Sequence, residues 1–329
     1  MHQVTRALLA LSIAAAPAAF VACQSDSTSP DGSGGSGGSG GSTTTTTTSN
    51  TGGNGTGGNA TGGNGTGGNG TGGSGTGGQG QGGGTQADHL VISELAVAPN
   101  EGEFVEIYNP TAASVDLTDY YLSDNSAYVG IQLGDPWNPV TSNNLPTDFL
   151  ARFPAGTTIP AGGAIAIATQ AGFEATYGKC ADFILAAADV PCAAGSAKAM
   201  LAPTNGGIGE QVSLSNDREM VILFHWTGDT NDLIEDVDYV TWGAAFEDPT
   251  RVDKTGIGTY QPDTPRANQK PAPAAGAGQS IERCAPAAEN GEKASGGNGI
   301  SGHDETSESL DVTFVVQAAP TPGDKNGCL

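Results

Sequence analysis

Four histidines could move protons or ligate a metal in this 329-residue chain: His2, His89, His225 and His303. No two stand at a ligand spacing, and zinc sites need several nitrogen, sulfur or carboxylate donors brought together, so no zinc motif is legible. His225 alternates along an apolar stretch as a surface or half-buried residue. Gly302-His303-Asp304 sits in a Gly/Ser/Glu-rich loop, but the globular part of the chain has no Gly-x-Ser-x-Gly elbow to present a serine to it. Glu103 and Glu106 are the best placed pair for acid–base work. Three apart on a strand they face opposite ways, which reduces Glu106 to a hydrogen-bond partner for a loop. Asp229, Asn231 and Asp232 are the best calcium candidates, since that ion takes several oxygens from one compact loop. Their spacing lacks the glycine turn and terminal acid of an EF-hand, and an acidic solvated hairpin is the preferred reading. No catalytic residue and no cofactor is therefore assigned. Calcium stays open through these three residues.

The cysteines are Cys23, Cys180, Cys192, Cys284 and Cys328. Arg6 precedes an Ala/Leu-rich run from Ala7 to Val21, too short for a comfortable bilayer span and suited to a secretory signal. Val21-Ala22-Cys23 then resembles a bacterial lipobox, in which the cysteine is acylated and becomes the mature N-terminus. An odd thiol in an exported chain needs an explanation, and acylating Cys23 leaves four to pair. Of three connectivities, Cys180–Cys192 and Cys284–Cys328 are preferred, in an oxidising envelope that permits both. Gln24 rather than Asp after the cysteine favours the outer membrane.

Three segments follow from composition: a signal peptide at 1–22, a lipidated cysteine with a disordered Gly/Ser/Thr/Asn-rich linker at 23–87, and a folded domain at 88–329. The pentad TGGNG recurs from Thr51 without one apolar position, so it forms a tether and cannot form a packed repeat. Arg6 against Asp26 and Asp31 leaves the first 87 residues at −1; of the formal net charge of −23, the folded part therefore carries −22. A domain so acidic lacks the basic stripe that binds phosphates, which excludes nucleic acid as a partner.

Past Ala87, short β-branched and aromatic runs alternate with Gly, Pro, Asn and Asp. Strands are expected at 90–95, 103–109, 120–123, 164–169, 211–214, 220–226, 234–242 and 312–317. Short helices are expected near 170–177 and in the Ala-rich stretch around 193–200. The class implied is all-β, an antiparallel two-sheet sandwich.

Several stretches then resemble one family. Val91-Ile92-Ser93-Glu94-Leu95, Gly102-Glu103-Phe104-Val105-Glu106-Ile107-Tyr108-Asn109-Pro110, Val115-Asp116-Leu117 with Tyr121-Leu122-Ser123-Asp124, Ile159-Pro160-Ala161-Gly162-Gly163-Ala164, Val212-Ser213-Leu214-Ser215-Asn216, Val237-Asp238-Tyr239-Val240 and Pro320-Thr321-Pro322-Gly323-Asp324-Lys325-Asn326 occur in the order of the lamin tail domain. The resemblance covers 90–326 and implies an immunoglobulin-like sandwich, with segments 125–153, 172–209 and 243–279 as insertions. Asp119-Tyr120 stands where the family often has Gly-Trp.

The function expected is a non-enzymatic lipoprotein that displays this domain at the cell envelope, binding an envelope protein or polysaccharide through its inserted loops. Its contacts would be the membrane, through the N-terminal lipid, and that partner. The alternatives are a calcium-dependent adhesin and a metal-assisted hydrolase built from the insertions. Acids meeting His225 or His303 in one cleft would mark the latter.

Overall fold

The computed structural model describes residues 85–135, 137, 146–244, 250–285 and 287–324. Cys23, the tether up to residue 84 and Cys328 lie outside these residues; Thr85–Ala87, assigned to the tether from composition, are part of the fold, because Thr85–Gln86 pairs with Ala288–Glu289 and Ala87 is buried. In chain order the strands are β1 Thr85–Gln86, β2 Val91–Ala96, β3 Phe104–Tyr108, β4 Val115–Asp116, β5 Tyr120–Ser123 and β6 Phe149–Arg152. They continue with β7 Thr158–Ile159, β8 Ala164–Ala168, β9 Phe183–Ile184, β10 Val190–Cys192, β11 Gly195–Ala199 and β12 Gly207–Ile208. The last are β13 Glu219–His225, β14 Glu235–Trp242, β15 Ser280–Arg283, β16 Ala288–Glu289 and β17 Phe314–Gln317. Among the described residues three short α-helices are interspersed: α1 Gly130–Leu133, α2 Phe173–Tyr177 and α3 Leu310–Thr313.

Two sheets face each other. One has the order β10-β11-β9-β8-β3-β2-β15-β17 and the other β12-β6-β5-β13-β14, while β1-β16 and β4-β7 form separate two-stranded ribbons. Pairing is antiparallel except where β9 lies parallel to β8 and β11. Inward residues of both sheets, among them Ile92, Val105, Ile107, Leu122, Ile167, Val221, Leu223, Val240 and Ile281, make one sandwich core. Each such side chain, fully removed from water, contributes about 1.5–3 kcal/mol.

Both outer faces are covered as well, which explains why β13 is apolar on both sides. Tyr121, Leu150, Ile222, Phe224 and Tyr239 point away from the main core into a second cluster that Tyr128, Ile131, Val252 and Tyr260 complete. Phe104, Ala166 and Ala168 do the same on the other sheet, beneath Phe173, Ala181, Ile184 and Ala197. The inserted segments are therefore packing layers as much as loops. Buried Lys254 fixes one of them: it pairs with Asp236 and donates to Tyr128 Oη at 2.9 Å, while that hydroxyl donates to Asp236 at 2.6 Å.

The structure corrects several sequence expectations. The Ala-rich segment at 193–200 is not a helix. Gly195–Ala199 forms β11, because the hairpin with β10 and parallel pairing to β9 outweigh the helix propensity of alanine and lysine. Gln211–Leu214 makes no strand; Leu214 N–H instead donates to the Glu103 carboxylate at 2.8 Å. Val312 belongs to α3, so the last strand begins at Phe314. Cys180 and Cys192 are bonded, with Cα atoms 5.8 Å apart. By restricting the unfolded chain such a short loop contributes about 3 kcal/mol. Cys284 is also disulfide-bonded.

Candidate functional site

Two features stand apart from the packing. The first is a cleft of about 910 Å³ whose walls come from the residues after β8, the ends of β9 and β11, and the segment following β12. Gln170, Ala187, Leu201, Ile208, Gln211 and Ser213 give its character: small apolar groups beside amides and a hydroxyl, with Glu210 as the single charged residue of the lining. Among the described residues, none in the lining is aromatic. Much of the wall belongs to the 172–209 insertion. Gln170 Nε2 donates to Val212 O at 2.9 Å and holds two walls together.

The second is a buried cluster where the chain first enters the sandwich. His89 sits between β1 and β2, Glu289 is on β16, and β1–β16 pairing sets Thr85 opposite Glu289. Glu292 follows in the next turn. His303 and Glu305 come from two successive 3-10 turns at Ile300–Gly302 and Glu305–Ser307. The loop carrying them folds tightly because glycine lines it: a Cβ on Gly299 would lie 2.7 Å from Glu305 Oε1.

The two imidazole rings meet edge to face, with centroids 5.5 Å apart. His89, Glu289 and His303 each offer a ligand atom within 4.8 Å of the others; so do Glu292, His303 and Glu305. All are buried except Glu292, which is partly so. His89 Nε2 lies 2.9 Å from Glu289 Oε1 and 3.9 Å from Glu305 Oε1. The first of these approaches lacks hydrogen-bond geometry, so His89 Nε2, both Glu289 oxygens and Glu305 Oε1 are buried without a hydrogen-bond partner. The other ring nitrogens are occupied: His89 Nδ1 lies 3.3 Å from Asp88 Oδ1 and His303 Nδ1 2.9 Å from Glu292 Oε1.

Electrostatics shows how crowded the acids are. Burial, with the Glu289 charge behind it, pushes Glu292 up to about 10. Burial and the Glu292 charge hold Glu305 well above the usual carboxylate range. Burial works against a charged His89, yet the Glu289 carboxylate beside it outweighs burial and raises its pKa. Glu289 is the exception, held below its ordinary value despite burial because His89 faces it.

The residues singled out from sequence fall elsewhere. Asp229 Oδ1 accepts from the backbone and side-chain amides of Asn231 at 2.9 and 2.7 Å, and Asp232 accepts from Thr227 Oγ1 at 2.8 Å. These oxygens close an exposed turn between β13 and β14. His225 is half-buried, with Nδ1 3.1 Å from Glu235 and its ring against Tyr120. Glu106 accepts from Ser93 Oγ at 2.6 Å and from the backbone N–H of Gly323, the loop role its position implied. Sequence reasoning missed the His89–His303 pair, because only the fold brings these distant residues together. The density of acids around His303 was the one available sign.

Two packed antiparallel sheets with a shared apolar interior define the chain as an all-β protein with an immunoglobulin-like sandwich. Residues 84–243 match the Lamin Tail Domain family. The strands β15 and β17, which lie beyond the match, complete the same sheet. Among solved structures, a DUF4876 family protein from Bacteroides thetaiotaomicron VPI-5482 is similar at 14% identity and a TM-score of 0.37. The similarity covers 69% of this chain and 70% of that one, and is too loose to add to the argument. No curated protein matches.

Proposed function

We propose that the chain is a lipid-anchored, non-enzymatic display module of the bacterial envelope: Cys23 carries the lipid, residues 24–84 act as a tether, and the lamin tail sandwich binds a partner. The observation that carries the binding role is the open cleft to which the 172–209 insertion contributes about half of the wall. Its amides, hydroxyl and small apolar groups suit an extended polypeptide, whose backbone supplies both donors and acceptors. The absence of aromatic platforms in the lining argues against a sugar ring as the main ligand, since stacking is what such rings offer. A protein of the outer membrane or its surroundings is thus favoured over polysaccharide, and the −22 charge of the folded part disfavours acidic polymers.

Photo-cross-linkers placed at Ala187 or Leu201, on full-length protein in its native membrane, are expected to give one discrete protein adduct. The same probe at Val312, an exposed apolar residue outside the cleft, should give none. Equal labelling at all three positions, or no adduct from the cleft, would overturn the assignment.

A further inference from the structure

We propose that His89, Glu289, His303 and Glu305 bind one divalent transition-metal cation of the zinc class, with Glu292 orienting His303 from behind. This site is independent of the cleft and of any partner held there.

The ligand types come first. Two imidazoles beside carboxylates are donors for zinc and its neighbours, whereas calcium and magnesium prefer oxygen alone. Each ring already has one nitrogen committed to a carboxylate, His89 Nδ1 toward Asp88 and His303 Nδ1 toward Glu292. That is the arrangement by which an outer carboxylate fixes the tautomer of a metal-binding histidine and turns its Nε2 lone pair toward the ion. His89 Nε2 is accordingly buried and without a hydrogen-bond partner, as is Glu305 Oε1.

Charge supplies the second argument. Arg283 donates to Asp238 at 2.7 and 2.9 Å and to Glu308 at 2.9 Å, so its positive charge is committed next door. Lys293 is drawn to Asp304 at 2.8 Å. Among the described residues, the two imidazoles are then the groups in ion-pair range of Glu289, Glu292 and Glu305, with Arg283 acting on Glu289 from farther away. Orphaned carboxylate oxygens in such a place are costly unless they meet a proton or a cation. A dication bound by Glu289 and Glu305 neutralises both at once and leaves the histidines neutral, as ligands must be.

Distance supplies the third. Donors bonded to zinc at about 2.0–2.2 Å in a tetrahedron sit roughly 3.4 Å from one another. Ligand atoms of His89, Glu289 and His303 lie within 4.8 Å of one another, and His89 Nε2 is 2.9 Å from Glu289 Oε1 and 3.9 Å from Glu305 Oε1, so modest side-chain closure completes the sphere. With its residues buried, the site reads as structural. It would clasp the first strand of the domain to the 289–305 loop at the point where the chain arrives from the tether, and so resist unravelling from that end.

Full-length protein stripped with a chelator and dialysed against micromolar zinc should retain about one equivalent and gain roughly 8–15 °C in Tm. Cobalt(II) should give visible d–d absorption. His303→Gln and Glu305→Gln should each lose the bound metal and the cobalt spectrum while keeping the far-ultraviolet circular dichroism of the parent. Asp229→Asn, in the exposed turn, should leave metal content unchanged. The proposal fails if the wild type retains less than about a tenth of an equivalent, if His303→Gln and Glu305→Gln both bind as the parent does, or if calcium, not zinc, raises the melting temperature. Should either variant misfold, the cobalt spectrum of the wild type still decides, since oxygen-only coordination lacks imidazole-bound features.

Discussion

Replacing Arg283 with methionine is expected to lower stability by about 3–5 kcal/mol, because two buried carboxylates lose their counter-charge together. Arg283 stands on β15 in one sheet and is almost wholly inaccessible to water. Its guanidinium reaches Asp238 on β14 of the facing sheet, at 2.7 Å to Oδ2 and 2.9 Å to Oδ1, and Glu308 at 2.9 Å. It also donates to the carbonyls of Ile92 and Ala288, and its plane lies 4.8 Å from the centre of the Phe314 ring. Asp238 in turn accepts from the backbone N–H of Ile92, beside the irregularity in the β2–β3 register between Ile92 and Glu94. One side chain therefore links both sheets through the interior. For a domain of this size each kcal/mol is worth about 2–4 °C, so the melting temperature of Arg283→Met should fall by roughly 6–20 °C. The triple variant with Asp238→Asn and Glu308→Gln should recover much of the loss, because it removes the uncompensated charges. A single variant that melts like the parent would show that this link contributes nothing.

Acidification from pH 8 to pH 5 should stabilise the chelator-treated protein, against the common behaviour of acidic proteins. Burial first, and then the Glu106 and Glu282 charges, raise Glu94 to about 7 against hydrogen bonds from Ser280 and Thr321. Burial likewise raises Glu103 to about 7, and burial with the Asp148 charge raises Glu219 to about 8. Unfolded, these carboxyls return to the ordinary glutamate value of 4.5. Between about 4.5 and 7 to 8 the folded state thus holds protons that the unfolded state has released, and stability falls as pH rises through that window. The contribution is fully present below 4.5 and gone above 8, with up to about 3 kcal/mol at stake for Glu94 or Glu103. Asp304, held low by Lys293, Thr306 and Thr264 despite burial, opposes this with a loss on acidification. The raised groups outnumber it. The melting temperature should be higher at pH 5 by at least about 5 °C, and Glu94→Gln or Glu103→Gln should flatten the profile. A profile that is flat, or that rises toward pH 8, would contradict this.

Much of the sandwich was legible because β2, β3, β5, β8, β13 and β14 carry β-branched and aromatic residues bounded by turn formers. What escaped did so for identifiable reasons. Ser280-Ile281-Glu282-Arg283 looks polar, yet it is β15, paired on one side with β2 and on the other with β17, and the Arg283 charge is neutralised by Asp238 and Glu308 from distant segments. Phe149–Arg152 was hidden inside an apparent insertion, though β6 pairs with β5 and β12. Segments 125–153, 172–209 and 243–279 were legible as additions to the family pattern. Their role as covers for the outer sheet faces was not, since it needs Tyr121, Phe224 and Phe104 to be seen from both sides. The acid and histidine cluster was the least legible part. Its ligands have no common period, and it exists because β1 pairs with β16 and the 3-10 turns bring His303 and Glu305 back beneath His89. The Asp229 turn looked more like an ion site in the sequence because its oxygens are adjacent in the chain. In the fold those oxygens serve the turn itself.

A lipid-anchored display module requires a mature chain that begins at an acylated cysteine. Intact-mass measurement of protein extracted from its native membrane, with protease shaving of whole cells beforehand, should find a chain beginning at an acylated Cys23 and lost on shaving. A chain recovered unacylated from the medium, or one that begins away from Cys23, would contradict a lipid-anchored display module and leave the cleft to a soluble partner.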